Sequence, residues 1–264
     1  MQTATSPEFT TLRLEQEEGV ATLWLARPES RNALNVVMCH ELIAAFQWLD
    51  HADEVRVIVV RGEGVAFCAG ADLKERQGMS PAEMVARRVN GFTAYAAIEA
   101  MSKPVIAVVH GPAYGSGCEI IASCDFILAS TSAAFKYPEV GWGTVGATQR
   151  LPRIVGRRMA KELLFTGRVV GAEEAHALGL VNHVYAVDEL DAKVAEMAQL
   201  IAAANPVTVR LTKRSIDEGL DTTREGAMAV ELLAIQENLR NSDWQKAIAG
   251  FGKKSAEDDH AVAG

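Results

Sequence analysis

Polar and apolar positions alternate through "TLRLEQEEGVATLWLA": Leu12 and Leu14 stand between polar neighbours, and Ala21, Leu23 and Leu25 resume the alternation after Glu17, Glu18 and Gly19. A period of two interrupted by a glycine turn predicts a hairpin. Leu42, Ala45, Phe46 and Leu49 then recur at helical spacing behind Asn35, whose side chain suits a helix cap. Two β-branched runs, Val55 to Val60 and Val105 to Val109, are apolar at every position but Arg56. Strands apolar on both faces belong in a covered, largely parallel sheet. Between them lie the glycine-rich loop "GEGVAFCAGADL" and a helix opened by Ser80 and Pro81. Strand, loop and helix alternate in this way to about Phe126, which predicts an α/β layered domain.

From Asp188 onward the pattern is helical, with one apolar stripe at Leu190, Val194, Met197 and Ile201 and another at Met228, Leu232, Ile235 and Leu239. "TTRE", Thr222 to Glu225, reads as a capping box for the second, and Asn205-Pro206 separates helices. A striped helix must bury its apolar face, here on the preceding unit or on a second subunit. The chain therefore divides into residues 1–200, an α/β core, and residues 201–264, a helical region.

A chain of 264 residues can hold one sizeable core, and 49% hydrophobic with 23% charged residues fits a soluble globular protein. The net charge of −8 and the lack of any Lys/Arg cluster argue against a nucleic-acid partner, which needs a basic face. Cys39, Cys68, Cys118 and Cys124 form no CxxC pair and read as reduced, structural thiols. Neither an export signal at the start nor a run of about 18 apolar residues is present, so no membrane partner and a cytoplasmic location are expected.

"GWGTVG", Gly141 to Gly146, matches the dinucleotide fingerprint GxGxxG in letters only. That fingerprint needs an apolar strand before it and a long helix after it, whereas Pro138 precedes this stretch and Pro152 follows it. No phosphate-binding P-loop, zinc-protease helix or serine elbow occurs, and the six histidines show no metal-ligand spacing. Three pieces remain. In "AFCAGADL" the backbone N–H of Ala71 follows a buried strand and is free to point into a cleft. In "YGSGCE" Gly115 and Gly117 let backbone approach a ligand, and a helix starting near Ser116 presents unpaired N–H groups. Two such donors make an oxyanion hole. The third piece is a pair of carboxylates: Glu119, three residues after Ser116 on the same helix face, and Glu139 in "FKYPEVGWG". Alone, the first is an ordinary partner of a helix start and the second an ordinary solvated turn. Together, flanking one polarised oxygen, they are equipment for moving protons on carbon.

In order, "ARPESRNALN", "AFCAGADLKE", "KPVIAVVHGPAYGSGCEIIASCDF", "AFKYPEVGWG" and "TQRLPRIVGRRMAKELLFTGRVVGAEEAHALGLVNHV" strongly resemble the enoyl-CoA hydratase/isomerase family, the crotonases, from about Thr11 to Phe251. The resemblance implies a spiral core of ββα turns forming two sheets, and a C-terminal α-helical oligomerisation region that builds homotrimers or dimers of trimers. It implies an acyl-CoA substrate, no separate cofactor and no metal. The family's two oxyanion donors fall on the backbone N–H groups of Ala71 and Ser116, the latter a glycine in most members. Both glutamates of the water-adding members are present, and the resemblance assigns Glu119 as base toward water and Glu139 as acid toward the α-carbon. Ala69, Gly70, Asp72, Leu73, Lys74 and Gly115 fall where the family lines its thioester and pantetheine channel, with Lys74 toward the phosphates; Arg27, Arg31 and Ala33 fall beside the nucleotide.

One stretch departs from that pattern. Where hydratases read something like "LGIIPGAGGTQRL" after the second glutamate, this chain has the shorter "VGWGTVGATQRL", without the proline and with the bulk of Trp142 beside the acyl chain. The reading is a hydro-lyase acting on a trans-2-enoyl-CoA. Double-bond isomerisation, thioester hydrolysis, decarboxylation and a non-catalytic RNA-binding role on the same fold are the alternatives.

Overall fold

The computed structural model describes residues 7–249. The hairpin is there: β1 (Leu12–Glu17) and β2 (Val20–Leu25) are antiparallel, with Glu17 opposite Val20. Glu17 is thus a strand residue, and the turn is Glu18-Gly19 alone. Both turn residues have positive φ, 48° and 84°, the geometry that suits a two-residue hairpin turn.

Helix α1 (Val36–His51) then carries the chain to β3 (Val57–Gly62), and α2 (Pro81–Glu99) carries it on to β4 (Val105–Val109). Asn35 caps α1 by accepting from the Met38 N–H at 2.8 Å. Ser80 and Glu83 close a reciprocal capping box on α2, ahead of Pro81. β3 starts at Val57 rather than Val55, because the N–H groups of Arg56 and Val57 are held by the Gly19 carbonyl. Beyond β5 (Pro112–Tyr114) and α3 (Ser116–Ala122) come β6 (Phe126–Ser130), β7 (Ala134–Lys136), α4 (Arg150–Val155), α5 (Arg157–Thr166), β8 (Val169–Gly171), α6 (Ala172–Ala177), β9 (His183–Tyr185) and α7 (Leu190–Ala202).

Two sheets result. The larger runs β1-β2-β3-β4-β6-β9 and is parallel from β2 onward; the smaller runs β5-β7-β8. The double-sided apolarity of β3 and β4 has a direct cause. Ile58, Val60, Ala107 and Val109 join a large core with Leu42 and Phe46 of α1 and Ile98 of α2, while Val57, Val59, Ile106 and Val108 join a second core with Leu190, Val194 and Ala198 of α7. Each strand separates two hydrophobic layers, as a covered parallel sheet requires.

The chain divides into two compact units after Ala203. The second holds α8 (Pro206–Leu220), α9 (Arg224–Asn241) and α10 (Trp244–Ala249). α8 is capped by Asn205. The cap of α9 is Thr223, accepting from the Gly226 N–H at 3.1 Å, so the expected box from Thr222 to Glu225 is displaced by one residue and its fourth position is a glycine. Met228, Leu232, Ile235 and Leu239 are exposed. The final "SAEDDHAVAG", expected to be loose, lies outside the described residues.

Candidate active site

The site is assembled where the two sheets exchange chain. Cys68 forms a parallel bridge to Ala113 of β5, with the Cys68 N–H on the Pro112 carbonyl at 3.2 Å and the Tyr114 N–H on the Cys68 carbonyl at 2.9 Å. Next, Leu34 donates to the Gly70 carbonyl at 2.8 Å and accepts from the Asp72 N–H at 2.9 Å. In such a bridge the intervening residue turns its own N–H the other way. The Ala71 N–H therefore points away from Leu34, and no acceptor holds it among the described residues.

Gly70 has φ +105°, and a methyl group there would stand 3.1 Å from the Tyr114 carbonyl oxygen and 3.9 Å from the Ser116 nitrogen. The Ala71 loop thus lies against the start of α3. The residue capping α3 is Gly115, φ +49°, which has no side chain to satisfy the first-turn N–H groups. A methyl group at Gly115 would stand 3.3 Å from Glu139 Oε1 and 3.8 Å from Gly70 Cα, so both loops and the second glutamate converge here. Gly117 has a different reason from the one expected of it. A side chain there would collide with the Cys68 carbonyl at 2.6 Å, so its bareness serves backbone packing and not approach to a ligand.

Ser116, Glu119 and Glu139 are 7%, 6% and 7% exposed. Buried carboxylates need compensation, and the two receive it differently. Glu119 accepts from Arg150 Nη1 at 2.9 Å; the same guanidinium grips Glu99 at 2.6 and 2.8 Å and lies over the Tyr95 ring. Glu139 has no such ion pair among the described residues, and its buried Oε2 has no hydrogen-bond partner. Burial lifts its pKa above the usual carboxylate range and the neighbouring Glu119 charge adds to this, against a downward pull from Arg88 and Arg76.

That shift has a measurable consequence. The native Glu139 holds its proton more tightly than the unfolded chain does, so its contribution to stability is full at low pH and is lost as pH rises through the raised value. Glu139→Gln has no charge to bury. It melts above the wild type at neutral pH, and thermal melts across a pH series show the gap closing as pH falls below about 4.3, the ordinary glutamate value.

The short loop after Glu139 is ordered by the site itself. Val140–Trp142 forms one 3-10 turn, Gly143 takes φ +65°, and the Thr144 N–H returns to the Glu139 carbonyl at 3.0 Å. Arg88 of α2 then ties Val145 (2.8 Å) and Thr144 (3.2 Å), which brings Gly146 so close to Glu139 that a methyl group there would meet Cγ at 2.8 Å. A 3-10 turn in place of strand and helix also disposes of the GxGxxG resemblance. Trp142, expected beside the acyl chain, is 65% exposed on that turn.

The remaining expected residues sort as follows. Arg27 is tied to Asp72 at 3.1 Å through both terminal nitrogens and to the Ala33 carbonyl at 2.5 Å, so its charge is paired within the protein. Arg31, Ala69, Leu73 and Lys74 are exposed around that clasp, with Arg31 at φ +51°. Buried Asn32 secures the segment: it accepts from the Arg27 N–H and donates to the Glu63 and Ala66 carbonyls at 2.8 and 2.9 Å. Burial pushes the Cys39 thiol up to about 11 and Cys68 up to about 12, which keeps both neutral and unreactive. Arg150, Arg88, Arg76 and Tyr95 were not singled out in the sequence. The signal for Arg150 was its place in "TQRLPR"; for Arg88, its place at the edge of the α2 face that buries Gly91, Tyr95 and Ile98.

The enoyl-CoA hydratase/isomerase family model matches residues 15–258. The chain belongs to that family. As an enzyme of it, the chain is 40% identical to the "probable enoyl-CoA hydratase 2, mitochondrial" of Arabidopsis thaliana over 94% of its own length and 84% of that protein's. It is 39% identical to the crotonyl-CoA hydratase of Syntrophomonas wolfei, covering 91% and 94% of the two chains. The crystal structure of enoyl-CoA hydratase from Bacillus anthracis superimposes with a TM-score of 0.90 at 33% identity, over 93% of this chain and 97% of that one. Among the described residues, no helix is long and apolar enough to cross a membrane.

Proposed function

We propose that the enzyme adds water across the C2–C3 double bond of a trans-2-enoyl-CoA to give a 3-hydroxyacyl-CoA. The observation that carries this is the unequal treatment of two buried glutamates beside two unpaired backbone N–H groups: Glu119 is paired with Arg150, whereas Glu139 has no ion pair among the described residues and its pKa is raised by burial. A carboxyl whose pKa is raised by burial, set beside an ion-paired carboxylate, suits a division into acid and base.

The thioester oxygen is held by the N–H groups of Ala71 and Ser116, which stabilise the negative charge that develops on it. Glu119 takes a proton from water as the water oxygen bonds to C3, and the electron pair of the double bond moves into the thioester as an enolate. Glu139 then delivers its proton to C2, and the enolate collapses to the thioester. Every charge that develops lands on a protein donor, so the reaction calls for no cofactor beyond the CoA of the substrate. Arg27, Arg31 and Ala33 lie along the nucleotide in this reading, and Ala69, Gly70, Asp72, Leu73, Lys74 and Gly115 along the thioester and pantetheine. The exposed stripe on α9 supports assembly as a homotrimer or a dimer of trimers. The reading places the enzyme in the cytoplasm, unlike the Arabidopsis relative, whose name is mitochondrial.

The test is the purified protein with crotonyl-CoA. Loss of the conjugated thioester's ultraviolet absorbance, with a product heavier by one water, is the expected result. A product of unchanged mass would make the enzyme an isomerase, and free acid with CoA would make it a hydrolase.

A further inference from the structure

The arginine that reaches Glu119 is gripped along another edge as well. Arg150, the first residue of α4, donates from Nε to one oxygen of Glu99 at 2.6 Å and from Nη2 to the other at 2.8 Å. These are the two parallel bonds of a fork, and they take up one whole edge of the guanidinium. Only Nη1 is left for Glu119, and it meets a single oxygen, Oε2, at 2.9 Å. No protein group donates to Glu119 Oε1 among the described residues. The buried carboxyl therefore keeps one oxygen on the arginine and the other open.

Glu99 has no local reason to be where it is. It is the exposed last residue of α2, where the unpaired carbonyls of a helix end disfavour a carboxylate, so the helix gains nothing from it. Its partner is the arginine alone. Tyr95, one turn earlier on the same helix and buried, presents its ring to that guanidinium, with Cζ 5.3 Å from the ring centroid. α2 thus lays a ring face under Arg150 and a carboxylate along its edge. The row Glu99, Arg150, Glu119 runs from the surface to the buried base, and each step carries a charge-assisted hydrogen bond. A guanidinium fork fits any carboxylate, and Glu119 is already within reach of this one. Released from Glu99, the arginine would turn its fork on Glu119 and take both oxygens, leaving none for water.

We infer that Glu99 is a positioning residue for the proposed reaction: its fork on Arg150 limits the arginine to one bond with Glu119, which fixes that carboxyl and leaves Oε1 to receive the proton of water. The inference rests on the hydratase reading for the role of Glu119, and it is tested both with turnover and without it.

Glu99→Ala is expected to lower kcat for crotonyl-CoA hydration by roughly ten- to a hundredfold with KM unchanged, the cost of a misplaced base rather than a missing one. Added to Arg150→Met, the same substitution brings no further loss, because no fork is left to restrain. Arg150→Lys, a point charge without a fork, serves that comparison if Arg150→Met does not fold. Wild-type kcat in Glu99→Ala overturns the inference, and so does an equal loss with and without the arginine, since Glu99 would then serve the helix end or the surface. A crystal structure of Glu99→Ala decides the geometry apart from turnover. The guanidinium is expected on both oxygens of Glu119; one that stays on Oε2 alone, or leaves Glu119, overturns the inference. A wild type that does not hydrate crotonyl-CoA removes the hydratase reading, while the crystal structure still decides the fork.

Discussion

Glu119→Gln and Glu139→Gln each lower kcat for hydration of crotonyl-CoA by about a thousandfold, within the ~10²–10⁴ range for positioned general acids and bases. The two losses have different origins. Glutamine at 119 still accepts a hydrogen bond from Arg150, which the native pair makes at 2.9 Å, but it cannot take the proton of the attacking water. Glutamine at 139 fills the same buried volume and removes the proton that C2 must receive. Because neither change touches the Ala71 and Ser116 N–H groups, KM moves little, and rapid-quench or steady-state kinetics with a separate thioester binding measurement separates the two quantities. Wild-type turnover in both variants would end the two-glutamate mechanism. Loss in Glu139→Gln alone would leave proton transfer at C2 intact as a role and point to isomerisation.

Gly117→Ala is expected to lower kcat by ~10²-fold or more through the oxyanion donors, without removing any polar group. The new methyl would sit 2.6 Å from the Cys68 carbonyl oxygen and 2.9 Å from Cys68 Cβ. Since the first of these is backbone, the strain is relieved only by moving α3 away from the Cys68–Asp72 segment. Those are the two elements that carry the Ser116 and Ala71 N–H groups, so the gap between the donors opens. Overpacking of this kind also costs about 1–3 kcal/mol of stability, read as a lower denaturant midpoint. Gly141→Ala is the control: nothing lies within 4 Å of its added methyl, so activity and midpoint stay at wild type. Equal effects at both glycines would refute the wedge argument.

What could be read from the chain was local. The hairpin, the Asn35 cap, the Ser80–Pro81 helix start and the helix at Ser116 were all legible, because each depends on residues within a turn or two of one another. The few misplacements were also local: Glu17 in the turn, β3 two residues early, the α9 cap one residue early. Only the β3 start was decided outside the window being read, where the Gly19 carbonyl claimed the N–H groups of Arg56 and Val57; Glu17 pairs with Val20 and Thr223 caps Gly226, both three residues away. The site residues were legible for another reason, as glycine-flanked stretches whose order matches one family.

Order along the chain cannot say what a side chain touches. That Arg27 is neutralised by Asp72, that Gly117 serves Cys68, that Trp142 turns outward and that Glu119 owns a guanidinium while Glu139 does not are facts about residues brought together across the sheets. Sequence alone determined the fold class, the family and the presence of two carboxylates. Tertiary structure decided which carboxylate has an ion pair and which has its pKa raised by burial, because both depend on contacts between distant segments, such as Glu119 with Arg150.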